Sequence, residues 1–433
     1  MSPTFAQLGV PESICAALAR RGIDRPFEIQ AATIADALAG RDVLGRAPTG
    51  SGKTLAFGIP LVAAVDRAGP RRPRALVLSP TRELAEQIAS ELRSFAGAVR
   101  VGVVYGGVGI GGQSAALRRG VDILVACPGR LEDLIGQGSV RLDEVDRVVV
   151  DEADRMADMG FLPSVTRLLD QTDPVRQTLL FSATLDGDVA ELTRRYQRDP
   201  VTHEVGEATP DITSADHRFW TVQANDRIDT AARVITSTGR SIVFCRTRHG
   251  SDRVARQLAQ RGISAAAFHG GHAQNRRTSA LAGFAKGTIK ALVATDVAAR
   301  GIHVDGIATV IHYDPPGDHK TYLHRSGRTA RAGSTGLVVS LVQADQVAET
   351  KRMQRSLGLG HAITGPDLGL LASSTELRTP PSAGATTERR RSTPPPTEQG
   401  RRRRKHSGSG PPAGKSRRRR HARFGTTGSG RGR

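Results

Sequence analysis

The chain has 433 residues and a formal charge of +20, too long for one compact core, so two domains of roughly 150–200 residues with a remainder are expected. Hydrophobic residues are 38% of the chain. No run of about 18 uncharged apolar residues and no basic-then-apolar N-terminus occurs, so neither a membrane span nor a secretory signal is expected. The cysteines, Cys15, Cys127 and Cys245, are too scattered for a disulfide framework or a metal pair, which fits a reducing cytoplasm.

In chain order, short apolar runs recur at Asp42–Leu44, Ala75–Leu78, Val101–Val104, Ile123–Ala126, Val148–Val150 and Thr178–Phe181. Helical segments such as Glu83–Phe95 lie between them. The alternation predicts βαβ units around a parallel sheet covered on both faces, an α/β fold. Gly206–Asp216 is polar, contains Pro210 and is expected to be a linker. The pattern then repeats from His217 with Ser241–Cys245, Ala265–His269, Ala291–Ala294, Thr309–Tyr313 and Gly336–Leu341. Beyond Pro366 the chain is rich in Pro, Gly, Ser and Arg, too polar to offset the entropy of ordering, and is expected to be disordered. The organisation predicted is a domain over 1–205, a linker over 206–216, a second domain over 217–365 and a tail over 366–433. Residues 376–433 hold 17 Lys and Arg against 3 Asp and Glu, a surplus that points to polyanions, chiefly nucleic acid. A solvated tail without a partner is the plainer alternative.

Four segments carry chemistry. Ala47-Pro-Thr-Gly-Ser-Gly-Lys-Thr54 follows a strand and precedes a helix. Its glycines, Gly50 and Gly52, let backbone N–H groups of Thr49, Ser51 and their neighbours turn toward phosphate oxygens. Lys53, expected exposed on the loop, reaches the β- and γ-phosphates, and Thr54 holds Mg²⁺. Asp151-Glu-Ala-Asp154 ends an apolar strand at the carboxyl edge of the sheet, where ligands bind. Alone, such a quartet reads as a solvated helix start. Behind a phosphate loop, Asp151 suits the Mg²⁺ shell and Glu152 the attacking water. Ser182-Ala-Thr184 offers two hydroxyls for linking that site to a partner domain, or a helix cap. His324-Arg-Ser-Gly-Arg-Thr-Ala-Arg-Ala-Gly333 clusters three arginines on about one turn if helical, either phosphate ligands that act on domain closure or a solvated basic helix. His269 and His272 lack further metal-ligand spacing and are read as structural.

These motifs, in this order over about residues 5–345, resemble the DEAD-box family of ATP-dependent RNA helicases. The resemblance implies two RecA-like domains, with ATP and Mg²⁺ bound by the first and RNA lying across both. Phe5 and Pro26-Phe-Glu-Ile-Gln30 resemble the adenine-reading segment, with Phe5 stacking on the base and Gln30 bonding its edge. Phe27 stands where a hydroxyl residue is usual. Pro80-Thr-Arg-Glu-Leu84, Gly106-Gly107, Pro128-Gly-Arg130, Phe244-Cys-Arg-Thr247, Gln274 with Arg277, and Thr295 resemble RNA-backbone contacts. Cys127 replaces a usual Thr. Asp296 and Gly301 resemble the ATP side of their motif. Among His324, Arg325, Arg328 and Arg331, the fingers implied are Arg328 and Arg331, and Ala330 replaces a usual Gly. Catalysis therefore falls to Lys53, Asp151, Glu152, Arg328 and Arg331. Two rival readings are an RNA chaperone with a vestigial ATP site and a DNA-translocating helicase.

Overall fold

Strands form where valine, leucine, isoleucine and alanine run together without a break. Ala75–Leu78 and Ile123–Ala126 are buried at every position, as strands covered on both faces must be. The computed structural model describes residues 3–369, except 49, 186, 207–214, 300–303, 305, 331–335 and 368. Among the described residues, no helix is long and apolar enough to cross a membrane.

The first sheet contains β1 (Val43–Arg46), β2 (Ala75–Leu78), β3 (Val101–Val104), β4 (Ile123–Ala126), β5 (Arg147–Asp151), β6 (Gln177–Ser182) and β7 (Val201–Glu204), in the order β3-β4-β2-β5-β6-β1-β7. The second contains β8 (Ala215–Thr221), β9 (Ser241–Phe244), β10 (Ala265–Phe268), β11 (Ala291–Ala294), β12 (Thr309–His312), β13 (Gly336–Val342) and β14 (Ile363–Thr364), in the order β10-β11-β9-β12-β13-β8-β14. Position by position the two orders are the same, and the pairings are parallel throughout. The expected α/β architecture with two parallel sheets is what the chain adopts.

Alternation along each strand divides the core. Val43, Val77, Val125, Val149 and Leu179 face one side with the helices Lys53–Ala64 and Arg82–Arg93. Leu44, Leu76, Leu124, Val148 and Leu180 face the other with Pro128–Gly136 and Leu162–Leu169. Register brings the strand ends level: Arg46 lies opposite Ser182, and Asp151 opposite Phe181. The residues after β1, β5 and β6 therefore emerge along one edge.

Three edge features escape the apolar-run reading. β7 alternates half-buried and exposed positions with Thr202, His203 and Glu204, so it lacks a continuous apolar signature. β8 starts at Ala215, inside the stretch expected to be linker. β14 is two residues long and pairs with Phe219 and Trp220. The rest of the expected linker, 207–214, and the tail from residue 370 lie outside the described residues.

Candidate active site

β1 delivers the chain into the glycine-rich loop. Gly50 and Gly52 adopt φ of 92° and 86°, a region that glycine enters without steric cost. Gly52 is the N-cap of the helix Lys53–Ala64, so the unpaired N–H groups of its first turn face whatever anion enters. Lys53 is not exposed as expected. It is 8% accessible, and its Nζ donates to the carbonyl oxygens of Ala47 (2.6 Å) and Pro48 (3.3 Å). The ammonium is thus stored against its own loop. Thr49 lies outside the described residues.

β5 ends at Asp151, and the next residue, Glu152, has φ 54°. A non-glycine residue there stores about 1–3 kcal/mol. Both side chains are buried. Asp151 Oδ1 has no hydrogen-bond partner, and burial, followed by the Glu152 charge, pushes Asp151 up to about 7. Arg155 pairs with the Glu152 carboxylate. Ser182 Oγ, at the end of β6, accepts from the Asp154 N–H (3.3 Å). It does not cap the following helix, Asp188–Tyr196, whose N-cap is Gly187.

A cleft of about 830 Å³ joins these parts. Gly50, Gly52, Lys53, Thr54, Asp151 and Glu152 line it, as do Ile23, Phe27, Gln30 and Gln87. Gln30 Oε1 accepts from the Phe27 N–H and Gln30 Nε2 donates to Gly52 O, each at 2.9 Å. Phe5, expected to stack on a base, is not among the lining residues. It is 3% accessible and packed with Val10, Ile14 and Leu18 in the core, so neither ring face is open. Ile23, Phe27 and Gln87 were not singled out as site residues from sequence. The aromatic departure at Phe27 was the available signal, whereas Gln87 required the three-dimensional placement of its helix.

In the second sheet's half, Arg325 grips Asp296 with two bonds (2.6 and 2.8 Å) and donates to Asp314 O (2.7 Å). The helix His319–Ser326 ends before Arg328, so Arg325 and Arg328 do not share one helical turn. Gly327 caps it, and Arg328 is buried just beyond. Ala330 has φ 54°, a strain of about 1–2 kcal/mol. Gly301 and Arg331 lie outside the described residues. His324 feels the charges of Arg155, Asp154, Arg328 and Asp158. Burial first, then the positive charge of Arg155, lowers it to about 4, so it is neutral at pH 7.

The two halves meet at Glu83, which accepts from Gln274 Nε2 (2.9 Å) and pairs with Arg277 Nη2 (2.8 Å). Gln274 and Arg277, expected on RNA, are buried in this contact instead. Lys320 and Asp158 add a second bridge at 2.6 Å. On the first sheet's edge, the Arg82 guanidinium packs on Gly107, and Arg130 donates to Val108 O from both Nη atoms at 3.2 Å. Arg82 and Arg130 therefore both contact the Gly107-Val108 turn. Cys127 is buried, and burial pushes its thiol up to about 12, which keeps it protonated. Asp252 bridges His269 Nε2 (3.0 Å) and His272 Nε2 (3.1 Å). Because His269 Nδ1 accepts from the Gly271 N–H, its Nε2 carries the proton given to Asp252. Asp252 thus ties the two imidazoles together, while His272 Nδ1 is buried without a hydrogen-bond partner and the ligand atoms of the three side chains lie within 4.8 Å of one another.

Residues 27–192 match the DEAD/DEAH box helicase family and residues 226–333 the helicase conserved C-terminal domain. The chain is 40% identical to DEAD-box ATP-dependent RNA helicase 3B, chloroplastic, of Zea mays, over 84% of this chain and 50% of that one, so it spans half the length of that relative. It is 38% identical to the DEAD-box ATP-dependent RNA helicase CshA of Geobacillus kaustophilus, over 82% of this chain and 76% of that one. Mss116p, solved with ssRNA and AMP-PNP, superposes with a TM-score of 0.73 at 26% identity, over 88% of this chain and 83% of that one. With the phosphate loop, the Asp151–Asp154 turn and two RecA-like sheets in place, the chain belongs to the DEAD-box ATP-dependent RNA helicase family.

Proposed function

We propose that this chain hydrolyses ATP in an RNA-stimulated reaction and uses the cycle to separate short RNA duplexes or to remodel RNA–protein complexes. One observation carries the reading: a single cleft is lined by Gln30 together with Lys53, Thr54, Asp151 and Glu152. The base is read by Gln30, and the phosphates lie along Gly50, Ser51, Gly52 and, by sequence, Thr49. Lys53 exchanges the Ala47 and Pro48 carbonyls for β- and γ-phosphate oxygens, keeping its hydrogen bonds while gaining an anion.

The donor set fits Mg²⁺. Asp151 offers a buried, unpartnered oxygen, and Thr54 lines the same cleft. When bound, the ion neutralises charge on the phosphate oxygens. Glu152, held by Arg155, orients the attacking water and takes its proton. Water oxygen bonds to the γ-phosphorus as the bond to the β–γ bridging oxygen breaks, so ADP and phosphate leave. Arg328 and Arg331 stabilise the charge that develops, with Asp296 and Gly301 supporting the ATP side. Arg82, Gly107 and Arg130 meet the RNA backbone, which confers no sequence specificity. The Arg-rich tail adds affinity for RNA phosphates, and the protein works in the cytoplasm.

The test is ATP turnover with RNA and with DNA of one sequence. Stimulation by RNA and not by DNA is expected. No turnover with either would favour the RNA chaperone, and equal stimulation the DNA translocase.

A further inference from the structure

Phe27 departs from what its position asks for. It is the N-cap of the helix Glu28–Leu38 and makes no side-chain cap bond, giving up about 1 kcal/mol that a hydroxyl or carboxamide would supply there. The residue is also 63% exposed, one of three large exposed apolar residues among the described residues. A folding role accounts for neither cost, so the ring's surroundings decide the matter.

Three facts locate it. It is the single aromatic among the residues that line the 830 Å³ cleft. A Cβ on Gly52 would lie 2.8 Å from Phe27 Cδ2, so the ring stands over the glycine that precedes Lys53. Its backbone is pinned by Gln30, which also holds Gly52 O. A flat apolar face and an amide therefore flank the same peptide at Gly52. Phe5 is sealed in the core, which leaves Phe27 as the one ring for a base among the described residues that line the cleft.

We propose that Phe27 is the base-stacking residue of this chain, with the nucleotide's heterocycle lying on its ring while Gln30 reads the edge. The inference rests on ATP as the bound nucleotide. Every base has a π-face, so stacking strengthens binding without choosing the base. Choice rests on hydrogen bonds from Gln30, which a wrong base leaves unpaired. Affinity and discrimination thus belong to two neighbouring side chains and are separable.

The experiment is equilibrium binding of ATP, GTP and inorganic triphosphate to the full chain and to Phe27→Ala, Phe27→Leu, Phe27→Trp and Gln30→Ala. Phe27→Ala is expected to weaken ATP and GTP by the same factor, about tenfold or more, and to leave inorganic triphosphate unchanged. Phe27→Trp restores ATP affinity and Phe27→Leu does not. The tryptophan emission falls on ATP addition, against the one native Trp, Trp220, which is buried. Gln30→Ala narrows the gap between ATP and GTP. Three outcomes overturn the proposal: ATP affinity unchanged in Phe27→Ala, full rescue by Leu, or an equal loss for inorganic triphosphate, which would make the ring a support for Gly52. Failure of the parent chain to bind ATP would instead overturn the nucleotide reading itself.

Discussion

The two halves share one strand order, yet the cleft proposed to hold ATP is lined by residues of the first half, and the difference lies in two loops. After β1 the chain turns through Gly50 and Gly52 into a helix that starts at Lys53. After β8 the equivalent loop, Val222–Asp226, has no glycine and enters a helix that starts at Arg227. β5 ends in Asp151, and β12 is followed by Asp314. In the second half cation and carboxylate meet: Arg227 pairs with Asp314 (2.7 Å) and bonds to Tyr313 O and Gln343 Oε1. In the first half, Lys53 rests on carbonyl oxygens and Asp151 Oδ1 has no partner. One scaffold has its charges spent on itself; the other keeps them for a ligand. Function resides in the loops, not in the sheet.

Exchanging these roles by mutation tests the contrast. The largest effect is expected for Lys53→Ala, which loses ATP turnover by at least about 10²–10³-fold. Its stability changes by only about 1 kcal/mol, because two carbonyl contacts are lost. Parental turnover in steady-state assays would remove Lys53 from the site. Arg328→Ala should lower RNA-stimulated turnover by about 10³-fold while nucleotide affinity holds. A variant that failed only in ATP binding would contradict a role on closure.

Arg227→Ala sharpens the comparison from the other side. It leaves a largely buried Asp314 without its cation and should cost about 2 kcal/mol in denaturant unfolding. ATP affinity should persist. Lost nucleotide binding with unchanged stability would mean that the second half uses this position as the first does.

Removing residues 376–433 deletes 17 Lys and Arg. The salt dependence of RNA binding should flatten by a few units, at about 0.7 per phosphate contact, with saturated turnover kept. Equal slopes would show a solvated tail.

The smallest effect concerns Asp151. Burial raises it to about 7, so the folded state keeps a proton that the unfolded chain, near the ordinary carboxylate value, has already released. Stability from this group is therefore present at low pH and lost as pH rises toward 7. Without nucleotide, Asp151→Asn should gain a few degrees in melting temperature on the parent between about pH 4 and 7. A gap that narrows with rising pH would reverse the sign.

What was legible in sequence followed from short-range chemistry. β2 and β4 are unbroken apolar runs, and β5 holds Val148–Val150 between Arg147 and Asp151. The glycine spacing and the Asp151–Glu152 pair also lie within a few residues of each other. The edge strand β7 carried no such signal, because it faces solvent at alternate positions. Long-range pairing was equally hidden. Nothing near Gln274 announces Glu83, 191 residues away, and nothing near Phe5 announces a sealed core. The arginine spacing from Arg325 puts Arg328 on the same turn only if the segment stays helical, and Gly327 ends that helix first.

The register of β1 bears on how the protein is made. Val43 pairs with Leu179 on one side and Val201 on the other, so an early strand waits for partners synthesised far later. On the ribosome its apolar edge stays open through the emergence of most of the first half, the interval in which a nascent parallel sheet is exposed to misassociation. All seven strands of that sheet come from residues 43–204, and the second sheet begins at Ala215. The first sheet therefore closes while the second is still being translated. Nascent chains of increasing length should acquire ATP affinity abruptly once β7 clears the exit tunnel.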